Sequence, residues 1–70
     1  MNIVNGVVIG RSSETRFTVK ISDSAGDRNI NAQTMGKLVK RRVRIILGDI
    51  VQIQLDEYDV GKGFIVARVS

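Results

Sequence analysis

The 70-residue chain contains no cysteine and no histidine. Without cysteine there is no disulfide or thiolate-held metal to staple a small fold, and no thiol nucleophile. Without histidine the usual general base near neutral pH is missing, as is any His/Cys set for zinc. Aromatic residues are scarce: Phe17, Tyr58 and Phe64 are all the chain has. The apolar runs, such as Val7-Val8-Ile9 and Ile45-Ile46-Leu47, are far too short to cross a bilayer. The opening Met1-Asn2-Ile3-Val4-Asn5 has no basic region leading into an apolar core, which argues against a signal peptide. Asp56, Glu57 and Asp59 do not supply a Mg²⁺ site, because adjacent strand residues point to opposite faces. Gly36-Lys37 is not a phosphate-binding P-loop: Asn31 stands where its first glycine belongs, and Leu38 where Ser or Thr should follow. The expectation is a soluble, cytoplasmic protein with no catalytic residues, no metal, no cofactor and no membrane partner.

Most of the apolar mass is Val and Ile, whose branched Cβ favours strands. The length suits one domain spanning residues 1–70, with a core that buries only about 60% of the unfolded surface. A first strand is expected over Ile3 to Arg11, with Gly6 and Gly10 marking bends or bulges. Ser12 to Thr15 reads as a turn. From Arg16 to Ser22 the pattern alternates, with Phe17, Val19 and Ile21 on one face. Asp23 to Asp27 reads as a hairpin connection in which Gly26 takes a positive φ. A third strand over Arg28 to Gln33 points Ile30 and Ala32 inward. Met35 to Arg42 does not alternate and predicts a single helical turn or a structured loop. Gly48-Asp49 is a turn, and Val51, Ile53 and Leu55 alternate with Gln52, Gln54 and Asp56 in a fourth strand. A last turn over Tyr58 to Gly63 leads into a fifth strand, Phe64 to Val69. The fold class is therefore all-β: a five-stranded OB-fold barrel with a short helical turn or loop between strands 3 and 4. An SH3-like barrel shares that strand count and length.

The charge is uneven. Eleven basic residues against seven acidic ones give a net charge of +4 and favour polyanionic partners. Lys37, Lys40, Arg41, Arg42 and Arg44 lie close together, and no acidic residue stands between Asp27 and Asp49. Such a run has no partner within itself and suits phosphate neutralisation with release of condensed counterions. In the last strand, Ile65, Ala67 and Val69 are expected to fill the barrel. That turns Phe64, Val66 and Arg68 outward, with Phe64 beside Arg68 as a base-stacking ring next to a phosphate ligand. An alternative is that Phe64 caps the barrel or covers a seam. Tyr58 is ambiguous in the same way, since its ring can pack while its hydroxyl stays wet. Two other functions remain open on these residues: a general single-stranded RNA or DNA binder such as a cold-shock-like RNA chaperone, and a peptide-binding module on an SH3-like barrel.

Three stretches read together resemble the bacterial translation initiation factor one family. They are Gly36-Lys37-Leu38-Val39-Lys40 running on to Val43-Arg44-Ile45-Ile46-Leu47-Gly48-Asp49, then Tyr58-Asp59-Val60-Gly61-Lys62-Gly63, then Ile65-Val66-Ala67-Arg68. Gly6-Val7-Val8 and Phe17-Thr18-Val19 keep the same register, so the similarity covers nearly the whole chain. The resemblance implies an OB-fold translation initiation factor that binds the small ribosomal subunit at the decoding, aminoacyl-tRNA site. Its implied partners are small-subunit ribosomal RNA, a neighbouring ribosomal protein and the other initiation factors, and nothing demands more than a monomer. It implies RNA contact at Lys37, Lys40, Arg44, Lys62 and Arg68, of which Lys62 is added by the resemblance. Several positions depart from the family pattern. Gln33 replaces a usual His, Val39 and Phe64 each replace an Arg, and Ala67 replaces an aromatic residue. Arg41 and Arg42 replace a polar-aromatic pair.

Overall fold

Alternating branched side chains fix one inward face on each strand, and a sheet with such a face buries it fully by closing on itself. The computed structural model describes residues 3–23 and 26–69 and shows this closure. The elements are β1 (Ile3–Arg11), β2 (Arg16–Asp23), β3 (Gly26–Thr34), α1 (Gly36–Lys40), β4 (Ile50–Leu55) and β5 (Lys62–Arg68). The barrel runs β1-β2-β3-β5-β4 and closes by pairing β4 with β1. Every pairing is antiparallel except β3 with β5, which is parallel. With the helix between the third and fourth strands, this is the OB-fold barrel.

The core is the set that alternation selects: Val8, Phe17, Val19, Ile21, Ile30, Ala32, Val51, Ile53 and Ile65 are all buried. Leu38 from α1 and Ile45 from the following loop join the same cluster. Gly10 follows a register shift in the β1–β2 pairing, at the bulge its glycine suggests. Gly26 has φ 106°, while residues 24 and 25 of the expected hairpin lie outside the described residues, as do residues 1 and 2 of the N-terminal reading.

The fifth strand differs from expectation in its second half. Ile65 is fully buried, but Ala67 is only half-buried and Val69 is 52% exposed, so neither fills the barrel as expected. The cause is a bulge. Ile53 pairs with Ile65 while Gln52 pairs with Ala67, so Val66 is an extra residue and the inward-outward alternation is lost beyond it. Among the described residues no helix is long and apolar enough to cross a membrane.

Candidate nucleic-acid interface

Five residues of helix are too few to be stable alone, so α1 must be held by its surroundings. Burial of Leu38 supplies one hold. The helix end supplies another. The Val43 N–H donates to the Leu38 carbonyl at 3.0 Å and the Arg42 N–H to the Val39 carbonyl at 3.1 Å. This is the Schellman pair, and the half-buried Val43 packs against the core cluster that contains Leu38. The left-handed residue in that motif is usually glycine. Here it is Arg42, with φ 55°.

The loop after α1 is tied down at several points. The Gly48 N–H donates to the Val8 carbonyl at 2.8 Å, and the Val8 N–H to the Asp49 carbonyl at 3.0 Å. Asp49 Oδ2 accepts the Ile46 N–H at 3.0 Å, so the first carboxylate after the basic run is engaged in shaping the loop. Arg68, at the end of β5, donates from Nη1 to the Arg44 carbonyl at 3.0 Å. That bond joins residues far apart in sequence and places the Arg68 guanidinium against the basic loop.

Lys37, Lys40, Arg41, Arg42 and Arg44 are all exposed, and none is paired with a described carboxylate. Lys37 and Lys40 lie in the last turn of α1, where the helix dipole favours positive charge. Beside them is an open groove of about 620 Å³, with Arg11, Arg42, Arg44 and the acidic Glu14 among its lining and Phe17 and Leu38 among its apolar residues. Arg11 was not among the residues selected from sequence. It stands at the end of a strand, where only the closed barrel brings it opposite the α1 loop.

Phe64 and Lys62 lie elsewhere on β5. Phe64 faces outward and is 42% exposed, but the bulge at Val66 stands between it and Arg68, so the two do not form one stacking-and-phosphate pair. Its neighbours across the sheet are Gln33 on β3 and Gln54 on β4, and Arg16 lies opposite Gln33 on β2. Lys62 is opposite Asn31 and reaches Asp59 Oδ2 at 4.0 Å, an exposed pair that contributes little. Tyr58 does not pack at all: it is 96% exposed. Arg16 is the other cation missed from sequence. Its outward place was legible in the alternation of β2, but its neighbourhood to Phe64 depends on the β3–β5 pairing. Among the described residues no group of acidic side chains is arranged to hold a metal ion.

The strained Arg42 makes a prediction. A non-glycine residue in the left-handed region costs about 1–2 kcal/mol, and glycine loses about 0.5–1 kcal/mol more backbone entropy on folding. Arg42→Gly is therefore expected to stabilise the fold by about 0.5–1 kcal/mol, a rise in Tm of a few degrees for a domain of this size. It also removes one cation from the basic end. Thermal unfolding followed by circular dichroism checks it, and a lower Tm would mean that the arginine side chain supports the fold.

Comparison with known proteins bears on this arrangement. No family model matches the chain. Translation initiation factor IF-1 of Rickettsia akari (strain Hartford) is 35% identical over 63 residues, which cover 90% of this chain and 84% of that protein. Translation initiation factor IF-1 of Rickettsia bellii (strain OSU 85-389) is 36% identical over 63 residues, with 90% and 82% covered. Among solved structures, the translation initiation factor IF-1 from the Wolbachia endosymbiont strain TRS of Brugia malayi matches with TM-score 0.74 and 30% identity, over 99% of this chain and 78% of that one. YjeQ from Thermotoga maritima matches with TM-score 0.78 and 26% identity; the match covers 99% of this chain but only 23% of YjeQ.

Proposed function

We propose a function from one premise: the chain belongs to the translation initiation factor IF-1 family. It acts by binding the small ribosomal subunit at the decoding, aminoacyl-tRNA site, through ribosomal RNA and a neighbouring ribosomal protein, in concert with the other initiation factors. It works as a cytoplasmic monomer and by occupying space, without chemistry of its own. The observation that carries this reading is the basic end of the barrel. A short helix, a tied loop and the end of β5 present Lys37, Lys40, Arg41, Arg42, Arg44 and Arg68 together, exposed and outside any ion pair with a described carboxylate, with Glu14 the one acidic residue lining the groove beside them. A phosphate backbone is the partner that such a surface neutralises with the greatest gain, because each contact releases condensed counterions. Lys62 and Phe64 extend the contact along β5.

Sedimentation of the purified chain with isolated small subunits, large subunits and free single-stranded RNA tests this at low and moderate salt. Selective co-sedimentation with small subunits, competed by a decoding-site ligand, is the expected result. Equal binding to any RNA would overturn the ribosomal assignment and leave a general RNA-binding barrel.

A further inference from the structure

Charge is spread unevenly around the barrel wall. The stretches Ile3 to Gly10, Ile50 to Leu55 and Gly63 to Ala67 contain no charged residue, in a chain that is 26% charged. They make up most of β1, all of β4 and the middle of β5, and those strands are neighbours in the closed barrel. The remaining two strands carry Arg16, Lys20, Asp23, Asp27 and Arg28. Register turns the uncharged stretches into a face. Val7 lies opposite Ile50, and one step beyond the Val51–Arg68 pair the Val69 N–H donates to the Ile50 carbonyl at 2.7 Å. Val7, Ile50 and Val69 therefore form one outward row, 40%, 38% and 52% exposed. The next row is Asn5, Gln52 and Ala67.

The core does not need these side chains. It is filled by the inward set, and β2 meets water with Thr18, Lys20 and Ser22 on its outer face. On β1 the outward positions Ile3, Val7 and Ile9 are all exposed aliphatics. A contiguous apolar patch without charge is the composition of the centre of a protein–protein interface, where charged residues are depleted. Along one side of the Val7–Ile50 pair runs a shallow hollow of about 470 Å³, floored in part by Gly6 and edged by Lys20 and Asp27. Those two edge residues form an exposed ion pair at 3.7 Å. Such a hollow beside an aliphatic row is a seat for an anchoring side chain.

We propose that the β1–β4–β5 wall is a docking face for a different protein, one of net negative charge whose contacting surface is aliphatic and uncharged at its centre. A phosphate backbone finds no cation on the wall to neutralise it. A hydrocarbon surface would bury the amides of Asn5 and Gln52 without partners, whereas a protein face supplies donors and acceptors for them. The choice between a second copy and a different protein falls to charge. The wall borders the basic end at Val69 and Arg68, and Arg68 reaches the Arg44 carbonyl there. The field of that end, on a chain of net charge +4, repels another +4 chain and draws in an acidic protein. The inference goes beyond the proposed function and does not rest on it. RNA is held at the basic end, and the wall carries its protein partner at the same time.

The chain has no cysteine, so Gln52→Cys accepts a single benzophenone label in the middle of the wall. The labelled chain is irradiated with those nuclease-treated soluble proteins of its source cell that an anion-exchange column retains. One discrete protein adduct is expected, with a partner of acidic pI by mass spectrometry. Adding Ile50→Lys to the labelled chain is expected to lower the yield of that adduct about tenfold or more, because it buries an unpaired charge in the contact. The Ile50 side chain points outward, so the core is untouched; thermal unfolding checks each variant, and Val69→Lys replaces Ile50→Lys if the latter loses its fold. The same label at Asn29→Cys, exposed on the charged β3, should not give the adduct. No discrete adduct, an adduct of the chain with itself, or one formed equally from Asn29→Cys or with the lysine in place would overturn the docking face. A specific adduct lost with the lysine supports it even where small-subunit co-sedimentation fails, since that experiment reads the basic end.

Discussion

Replacing Lys40 and Arg44 together by alanine is expected to weaken binding to the small subunit about 25- to 60-fold at 0.1 M salt, and to flatten the log–log salt dependence by about 1.4–1.8. Both figures come from the same source. Each neutralised phosphate contributes about 0.7–0.9 to the slope, and extrapolation from 1 M to 0.1 M salt turns that slope into the same number of log units in affinity. With about five phosphate contacts, the parent chain should show a slope near −3.5 to −4.5. The loss should come without loss of fold. Both side chains are exposed, α1 is anchored by Leu38 and its Schellman bonds, and the Arg68 guanidinium bonds to the Arg44 backbone carbonyl, which alanine keeps. Affinity and slope therefore have to change together. A weaker complex with an unchanged slope would show that the pair shapes the loop instead of meeting phosphates.

How far the sequence carried depended on the range of the interactions involved. Local patterns were enough for β2, where Phe17, Val19 and Ile21 alternate with polar residues and are buried as the alternation requires. They were enough for the basic run too, because charge density along the chain needs no tertiary information. The helical turn was legible only as a turn or a loop. What decides for helix is the burial of Leu38 and the backbone bonds that close it at Arg42 and Val43, and both depend on the finished barrel. Nothing local marks Arg42 as left-handed, since glycine is the usual signal there. The end of β5 departs from its alternation because a single extra residue, Val66, shifts every later side chain, and no glycine marks that bulge. The row from Arg16 to Phe64 was the least legible feature. It is built by a parallel pairing between β3 and β5, which lie far apart in the chain and come together only on closure.

That closure has a tight point, and it yields the other large prediction: Gly63→Ala is expected to destabilise the fold by about 1–3 kcal/mol. A Cβ on Gly63 would stand 2.7 Å from Ile53 Cγ2, 3.1 Å from the Gln54 carbonyl oxygen and 3.3 Å from Ile30 Cδ1. Ile53 is fully buried and Ile30 is 2% exposed, so neither side chain can swing outward to make room. The carbonyl belongs to β4, the strand with which β5 pairs, so backing away from it loosens the ladder itself. For a domain of this size, each 1 kcal/mol lowers Tm by about 4–8 °C, and the whole stability of a small core is only a few times that cost. Gly36→Ala is the matched control: nothing lies within 4 Å of its Cβ position, and helix propensity favours alanine there. Thermal unfolding of the two variants should therefore separate them clearly, with a large fall in Tm for Gly63→Ala and little or no fall for Gly36→Ala. A Gly63→Ala chain as stable as the parent would mean that β5 can move outward without cost. In that case the position of Phe64, next to Gly63 in the chain, would not be fixed by the barrel, and neither would its row with Gln33 and Arg16. A large fall in Tm would tie the row of Arg16, Gln33 and Phe64 to the same contact that closes the fold.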